Sequence, residues 1–276
     1  MKICAGNLDT LWNEVVKDLA NDGAPHGSRD GQCYEILNVN LMLEDPTRIL
    51  MRSPSRKFSR RYAMAELLWY LSGSKEGWIK HYAPQYERFL EDGFAHGAYG
   101  WRMRRRFGDQ LGKVVNMLKR DPDTRRAVIQ LYSADIDLAK DEKDIPCTLT
   151  LQFIVRYGKL HLIVNMRSND AWLGLPNDVF CFAAIQQIVA GLAGFNLGTY
   201  FHNVGSMHLY ARDVEKVNLS EIPNVSNVFH FSSILDESID LAVGAERALR
   251  ESHISSNPFD NPGSFEHLAL EMLCDH

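Results

Sequence analysis

Hydrophobic and polar residues follow two different periods along this chain, and the switches between them lay out its elements. Over residues 8–21, Leu8, Leu11, Trp12, Val15, Val16 and Leu19 recur at helical intervals and predict an amphipathic helix. ILNVNLML (36–43) changes to period two and predicts a strand. Between them, Asp22-Gly23 to Gly31 is Gly-rich and predicts a loop holding His26 and Arg29. Residues 58–72 predict a helix, apolar nearly all round, that ends near Gly73. From 74 to 110 no period holds. That segment is irregular and aromatic, with Trp78, Tyr82, Tyr86, Phe89, Phe94, Tyr99 and Trp101, a composition suited to lining a site. Residues 111–121 predict a short helix and 127–133 a strand. Residues 149–156 and 160–166 both alternate and are joined by Tyr157-Gly158-Lys159, a β-hairpin signal, with Arg167 and Ser168 just past the second strand. A buried helix follows over 179–191, then a strand over 199–210, and a loop from Asn257 to Gly263 leads into a short helical tail. No repeat, low-complexity tract or linker interrupts the series. It predicts one α/β (α+β) domain over 1–276, with a mixed sheet flanked by helices.

Composition narrows the class of molecule. Apolar content of 45% and charged content of 24% in 276 residues suit a soluble globular enzyme with an ordinary core. A formal net charge of -5 argues against a general nucleic-acid binder, although local basic clusters can hold a phosphate. Cys4, Cys33, Cys147, Cys181 and Cys274 show neither a CxxC pair nor zinc spacing, so no metal is expected. An odd cysteine count without a signal peptide predicts a cytoplasmic protein. The longest apolar stretch, 179–193, is interrupted by Gln186 and Gln187 and reads as too short for a membrane span.

The densest chemistry lies between the hairpin and the apolar helix. Arg167-Ser168-Asn169-Asp170 and Gly174-Leu175-Pro176-Asn177-Asp178 gather a cation, a hydroxyl, amides and two carboxylates. Such groups are costly to bury unpartnered, so they point to a pocket for a polar, anionic small molecule. Cys147, after Pro146, is either a small core side chain or a nucleophile. Glu66, inside an apolar helix, is either a structural hydrogen-bond partner or a carboxyl that manages protons or an ordered water. Arg29, Arg125, Arg126 and Arg167 are either solvated charges or a phosphate clamp. Arg52 to Arg61 and Arg102 to Arg106 form two larger basic clusters that read instead as surface stripes. His208 and Tyr210 share one strand face, where they either line a half-exposed strand or meet a sugar hydroxyl.

Taken in order, these pieces resemble the thymidylate synthase superfamily from about Arg29 to Tyr210. The matching runs are Glu66-Leu67-Leu68-Trp69-Tyr70-Leu71, Tyr99-Gly100, Pro122-Asp123-Thr124-Arg125-Arg126, Pro146-Cys147, Arg167-Ser168, Asp170, Gly174-Leu175-Pro176 and His208-Leu209-Tyr210. Three departures from the synthases look like the deoxycytidylate (dCMP) 5-hydroxymethylase branch. Thr148 stands where they carry His, Asp178 where they carry Asn, and Ser206-Met207-His208 where they carry Asp-Thr-His. The change at Asp178 has a physical sense. An asparagine amide complements the N3–H and O4 of uracil, whereas a carboxylate accepts from N4 of cytosine and opposes O4 of uracil. An asparagine with its amide flipped also matches cytosine.

The resemblance implies the rest of the expectation. The Cys147 thiolate adds to C6 of the pyrimidine and activates C5 toward the methylene of 5,10-methylenetetrahydrofolate, the co-substrate. Glu66, with Asp178 nearby, handles the water that a hydroxymethylase adds in place of hydride. Arg29, Arg125, Arg126 and Arg167 hold the 5′-phosphate. Ser168, Asn169, Asp178, His208 and Tyr210 contact the nucleotide, and Ile79, Tyr82, Asp170 and Gly174 lie toward the folate. Arg125 and Arg126 reach across to the other subunit, so a homodimer through the sheet is implied. The expected partners are a pyrimidine nucleoside monophosphate and folate, with no membrane and no nucleic acid. Alternatives are a methylating synthase acting on dUMP or dCMP, a hydroxymethylase of CMP serving a nucleoside antibiotic pathway, and a non-catalytic relative binding RNA or a partner protein through the basic clusters.

Overall fold

A computed structural model of the chain describes residues 1–28, 31–139, 143–218 and 220–274. In chain order its strands are β1 (Lys2–Ala5), β2 (Ala24–Ser28), β3 (Gly31–Leu43), β4 (Val128–Gln130), β5 (Thr148–Arg156), β6 (Lys159–Asp170) and β7 (Asn196–Tyr210). Its helices are α1 (Leu8–Asp22), α2 (Arg60–Ser72), α3 (Tyr99–Arg104), α4 (Gln110–Arg120), α5 (Ala134–Asp137), α6 (Leu175–Ala193), α7 (Ala211–Val214), α8 (Ser238–Arg250) and α9 (Phe265–Cys274). They form a mixed α/β fold that divides into two compact units. One holds Met1–Phe58, Cys147–Gln187 and Phe195–Phe229, and the other holds Ser59–Pro146, Ile188–Gly194 and His230–His276.

The first unit is built on a sheet in the order β1-β3-β7-β6-β5, with β2 paired to β3. Pairing is parallel for β1/β3 and β6/β7 and antiparallel for β2/β3, β3/β7 and β5/β6. The hairpin turns where the sequence predicted. Tyr157 and Gly158 both take positive φ, 52° and 71°, the two left-handed residues that a tight hairpin turn with native twist requires. Helix α1 is capped by Asn7, whose side chain accepts from the Thr10 amide at 3.1 Å, and all six residues of its predicted stripe are buried. Helix α6 is tied to the strands beneath it by Gln186, whose amide donates to the carbonyls of Leu160 (2.9 Å) and Gly198 (3.2 Å).

Three expectations for this unit need correction. Residues 24–28 form an edge strand and not a loop. Every residue in it is exposed, so no apolar alternation marks it, and its Pro25 is tolerated because an edge strand need not donate. Helix α6 begins at Leu175, which lengthens it to 19 residues, long and apolar enough to cross a membrane by length and composition. The most apolar stretch of it is 78% buried inside the fold, as befits a core helix. Arg167 and Ser168 lie within β6 and not past it.

The alternation in β6 and β7 changes phase at Arg167 and Gly205. Buried Leu162, Val164 and Met166 are followed by buried Asn169, and buried Tyr200, His202 and Val204 by buried Met207 and Leu209. A Cβ on Gly205 would lie 2.8 Å from the Arg167 carbonyl oxygen, so the close approach of the two strands there needs glycine. The phase change turns Asn169 inward.

In the second unit, α2 starts at a Ser59 cap and ends at Gly73 with φ 68°. Its all-round apolar surface is covered by α3, α8 and α9. The segment 74–110 is less irregular than expected. Two 3-10 turns (Trp78–His81 and Pro84–Phe89) and α3 lie within it. The strand predicted over 127–133 shrinks to β4. The Leu131 carbonyl is taken by Arg102 at 2.9 Å and the Ser133 amide by Asp137 at 2.7 Å, so neither is left for a ladder. Helix α8 was not anticipated. Its buried stripe is Ile239, Ala242, Ala245 and Glu246, too small and too polar to stand out as an apolar period.

Candidate active site

Cys147 immediately precedes β5 and is half-buried. Its carbonyl accepts the Arg167 amide at 2.9 Å, so one backbone hydrogen bond ties the candidate nucleophile to the candidate phosphate arginine. Arg167 is exposed, and Ser168 beside it is half-buried. Ser168 Oγ lies 3.4 Å from His208 Nδ1, and Asp170 sits opposite His208 in the parallel β6/β7 register. The Tyr210 ring meets the His208 ring edge-on at 5.2 Å, and the Arg212 guanidinium lies over Tyr210 at 4.1 Å. On the other side of β7, Ser206 donates to Glu35 of β3. The structure thus brings Cys147, Arg167, Ser168, Asp170, His208 and Tyr210 to neighbouring strands of one sheet.

Asp170 is fixed by the backbone. Its Oδ1 accepts the amides of Trp172 (2.8 Å) and Leu173 (3.0 Å), while burial pushes its carboxyl above the usual range against those amides and His208. A second carboxyl, Asp178 in the first turn of α6, is fixed by a side chain. Asn169 Nδ2 donates to Asp178 Oδ2 at 2.7 Å, and the far end of that amide, Oδ1, lies 3.0 Å from His202 Nε2. His202 Nδ1 lies 2.8 Å from the Tyr200 hydroxyl. Both rings are fully buried, and burial pushes the imidazole down to about 3. Gly174 makes this close packing possible. A Cβ there would stand 2.9 Å from Asn169 Nδ2 and 3.3 Å from Asp178 Oδ2.

The remaining sequence-predicted residues, Arg29 apart, belong to the second unit. Glu66 is buried on α2 and accepts the Tyr62 hydroxyl at 3.0 Å, one helical turn away. Ile79 is fully buried. Tyr82 donates to buried Glu246 at 3.0 Å, and burial followed by the Glu246 charge pushes its phenol well up. Arg250 also donates to Glu246, at 2.9 Å. Arg125 and Arg126 are exposed in the segment before β4. Arg29 lies outside the described residues.

Among the described residues no group of three or more His, Cys, Asp or Glu is placed to hold a metal ion. A folate makes different demands. A pterin ring presents N–H and amino donors, and a carboxyl held in place by two amides, as in Asp170, is the acceptor such a ring needs. The residues missed from the sequence are Tyr200 and His202. Their signal was available: a histidine two residues after a tyrosine, on the apolar phase of an alternating strand, has to find a buried partner.

With the geometry in hand, comparison with known proteins gives a consistent picture. The profile of the family described as thymidylate synthase matches residues 10–227. The deoxyuridylate hydroxymethyltransferase of Bacillus phage SP01 is 31% identical over 233 residues, covering 79% of this chain and 61% of that protein. The deoxyuridylate hydroxymethyltransferase of Pseudomonas phage M6 is 30% identical over 218 residues, 76% of this chain and 62% of its own length. The thymidylate synthase of Bacillus subtilis subsp. natto is 29% identical over 236 residues, 77% of this chain and 82% of that protein. The chain therefore spans less than two thirds of the length of the two phage relatives.

Proposed function

We propose that this chain, which belongs to the thymidylate synthase family, hydroxymethylates C5 of dCMP, giving 5-hydroxymethyl-dCMP and tetrahydrofolate. The family transfers one-carbon units to pyrimidine nucleoside monophosphates and uses methylenetetrahydrofolate. The finer reading is carried by one observation, the Asp178 carboxyl held by Asn169 at 2.7 Å where the synthases carry an amide. A carboxyl accepts from the N4 amino group of cytosine and, sharing a proton with N3, pairs twice.

In this reading the Cys147 thiolate adds to C6, and the electron pair displaced from the 5,6 double bond makes C5 nucleophilic. Asp178 stabilises the charge that gathers at N3. Arg167, Arg29, Arg125 and Arg126 hold the 5′-phosphate, and the last two do so across a homodimer. His208 and Tyr210 meet the sugar. Glu66, buried and hydrogen-bonded to Tyr62, steers the water whose oxygen ends on the new substituent. Asp170 would hold the pterin. Methylenetetrahydrofolate, when bound, supplies carbon at the oxidation level of formaldehyde, so addition of water needs no hydride. The C5 proton is lost, and elimination of Cys147 from C6 restores the aromatic base. The whole chain acts as one catalytic domain.

A second reading, hydroxymethylation of dUMP, is favoured by the printed names of the SP01 and M6 relatives. The test is to incubate the chain with methylenetetrahydrofolate and dCMP, CMP or dUMP, identify products by mass spectrometry and follow dihydrofolate by absorbance. We expect hydroxymethylated dCMP and no dihydrofolate, with turnover abolished in Cys147→Ser while nucleotide still binds. A methylated product with stoichiometric dihydrofolate would instead make the chain a synthase. Hydroxymethylated dUMP alone would refute the cytosine assignment and leave the chemistry standing.

A further inference from the structure

We propose that Tyr200, His202 and Asn169 form a hydrogen-bond chain of fixed polarity that orients Asp178 for reading the base, a role that rests on the function proposed above. The polarity follows from the chemistry of each atom. Asp178 Oδ2 faces the Asn169 amide at 2.7 Å. A carboxylate oxygen only accepts, so the NH2 end of Asn169 points at it and the carbonyl end points at His202. That carbonyl also only accepts, so His202 Nε2, 3.0 Å away, carries a hydrogen. The ring is neutral, which leaves Nδ1 with a lone pair, and the Tyr200 hydroxyl 2.8 Å from it is the donor. Every donor meets an acceptor in one direction only. Flipping the Asn169 amide would set NH2 against N–H at one end and oxygen against carboxylate at the other.

Two consequences reach the base. Oδ2 of Asp178 is kept an acceptor, because a hydroxyl there would oppose the Asn169 N–H. Any proton that Asp178 shares with N3 of cytosine therefore sits on Oδ1. Asn169 itself is 3% exposed and uses both ends within the protein, so it acts through Asp178 as a positioning residue. Gly174 supports the same arrangement independently, since a side chain there would enter the space that Asn169 and Asp178 share.

The test is a double-mutant cycle. Asn169→Leu keeps the branched outline of the side chain and removes both hydrogen bonds. We expect kcat/KM for dCMP to fall about tenfold or more, the loss typical of a charge-assisted hydrogen bond, and the dCMP:dUMP preference to fall with it. In an Asp178→Ala background the same change should alter kcat/KM by less than about twofold, because the group it orients is gone. Tyr200→Phe, which removes one donor and keeps the ring, should move the preference in the same direction by roughly two- to fivefold. Should Asn169→Leu fail to fold, Tyr200→Phe alone decides. Losses that multiply independently in the double mutant, or a lowered melting temperature with an unchanged nucleotide preference, would overturn the proposal. A wild type that turns over only dUMP would refute the cytosine reading instead, and the cycle measured on dUMP would still judge whether Asn169 works through Asp178.

Discussion

Two buried hydrogen-bond networks in this molecule each end on an aspartate, and they differ in whether they close. In the second unit, Arg102 is fully buried and donates to both oxygens of Asp137 (2.7 and 2.8 Å), to the Leu131 carbonyl and to the His96 carbonyl. Burial pushes the Asp137 carboxyl up, but Arg102 and the Ser133 amide outweigh it and hold the group below the ordinary range. Both partners of that pair spend their polar atoms inside the protein. In the first unit, the chain from Tyr200 through His202 and Asn169 is neutral until its last member. That member, Asp178, is half-buried. A closed network of opposite charges staples loops together. An open neutral one delivers its polarity to a group that can still meet a ligand.

The largest effect expected from breaking this contrast is on the closed side. Arg102→Met leaves Asp137 buried without its cation, a defect of about 3–5 kcal/mol. In a chain of this size that lowers the melting temperature by roughly 10 °C. The paired change Arg102→Met with Asp137→Leu should recover most of the loss, as scanning calorimetry would show. A single mutant as stable as wild type would mean that the pair is not the staple described.

Next comes the open side, where activity should move and stability should not. In Asp178→Asn, the carboxylate that opposes O4 of uracil gives way to an amide whose oxygen and NH2 complement N3–H and O4 together. The asparagine should therefore favour uracil, whose O4 accepts. About 1–3 kcal/mol is at stake, roughly ten- to a hundredfold in the ratio of kcat/KM for dUMP to dCMP. A ratio that stays put while the melting temperature is unchanged would show that Asp178 does not read the base.

The same contrast explains what was legible in the sequence. Period-two runs marked β3, β5, β6 and β7 because each has one face on the core, and the period of α1 named its buried stripe residue by residue. The exposed β2 has no such face and read as a loop. The motif residues around Cys147, Arg167 and Asp170 were visible as an improbable density of polar groups. The pairing of Asn169 with Asp178 was not. Strict alternation from Val164 and Met166 would put Ser168 inward, and only the phase change opposite Gly205 turns Asn169 toward His202. A pattern read one strand at a time carries no information about where two strands shift together. For the closed network, Arg102 sat in a basic cluster that read as a surface stripe, because its acceptors are mostly backbone carbonyls, which no sequence pattern displays.

The smallest expected effect concerns pH, and it separates the two networks again. Burial holds the His202 imidazole at about 3 against an ordinary value of 6.5, so in the folded protein it stays neutral while the unfolded chain takes up a proton. Between those values the unfolded state binds more protons, so this contribution to stability is full above pH 6.5 and shrinks as pH falls through it, by about 1.4 kcal/mol per unit. Asp137 is also depressed, but its contribution fades only as pH falls through the carboxylate range, below the interval from pH 7.5 to pH 5.5 in which His202 responds. Urea unfolding at pH 7.5 and pH 5.5 should therefore show a loss of about 1–2 kcal/mol in wild type. His202→Gln, whose amide can still donate to Asn169 but does not titrate, should be less stable at pH 7.5 and should lose measurably less on going to pH 5.5. If the two proteins lose the same amount, the histidine is not buried neutral, and the polarity assigned to the chain that ends on Asp178 is wrong from its middle member outward.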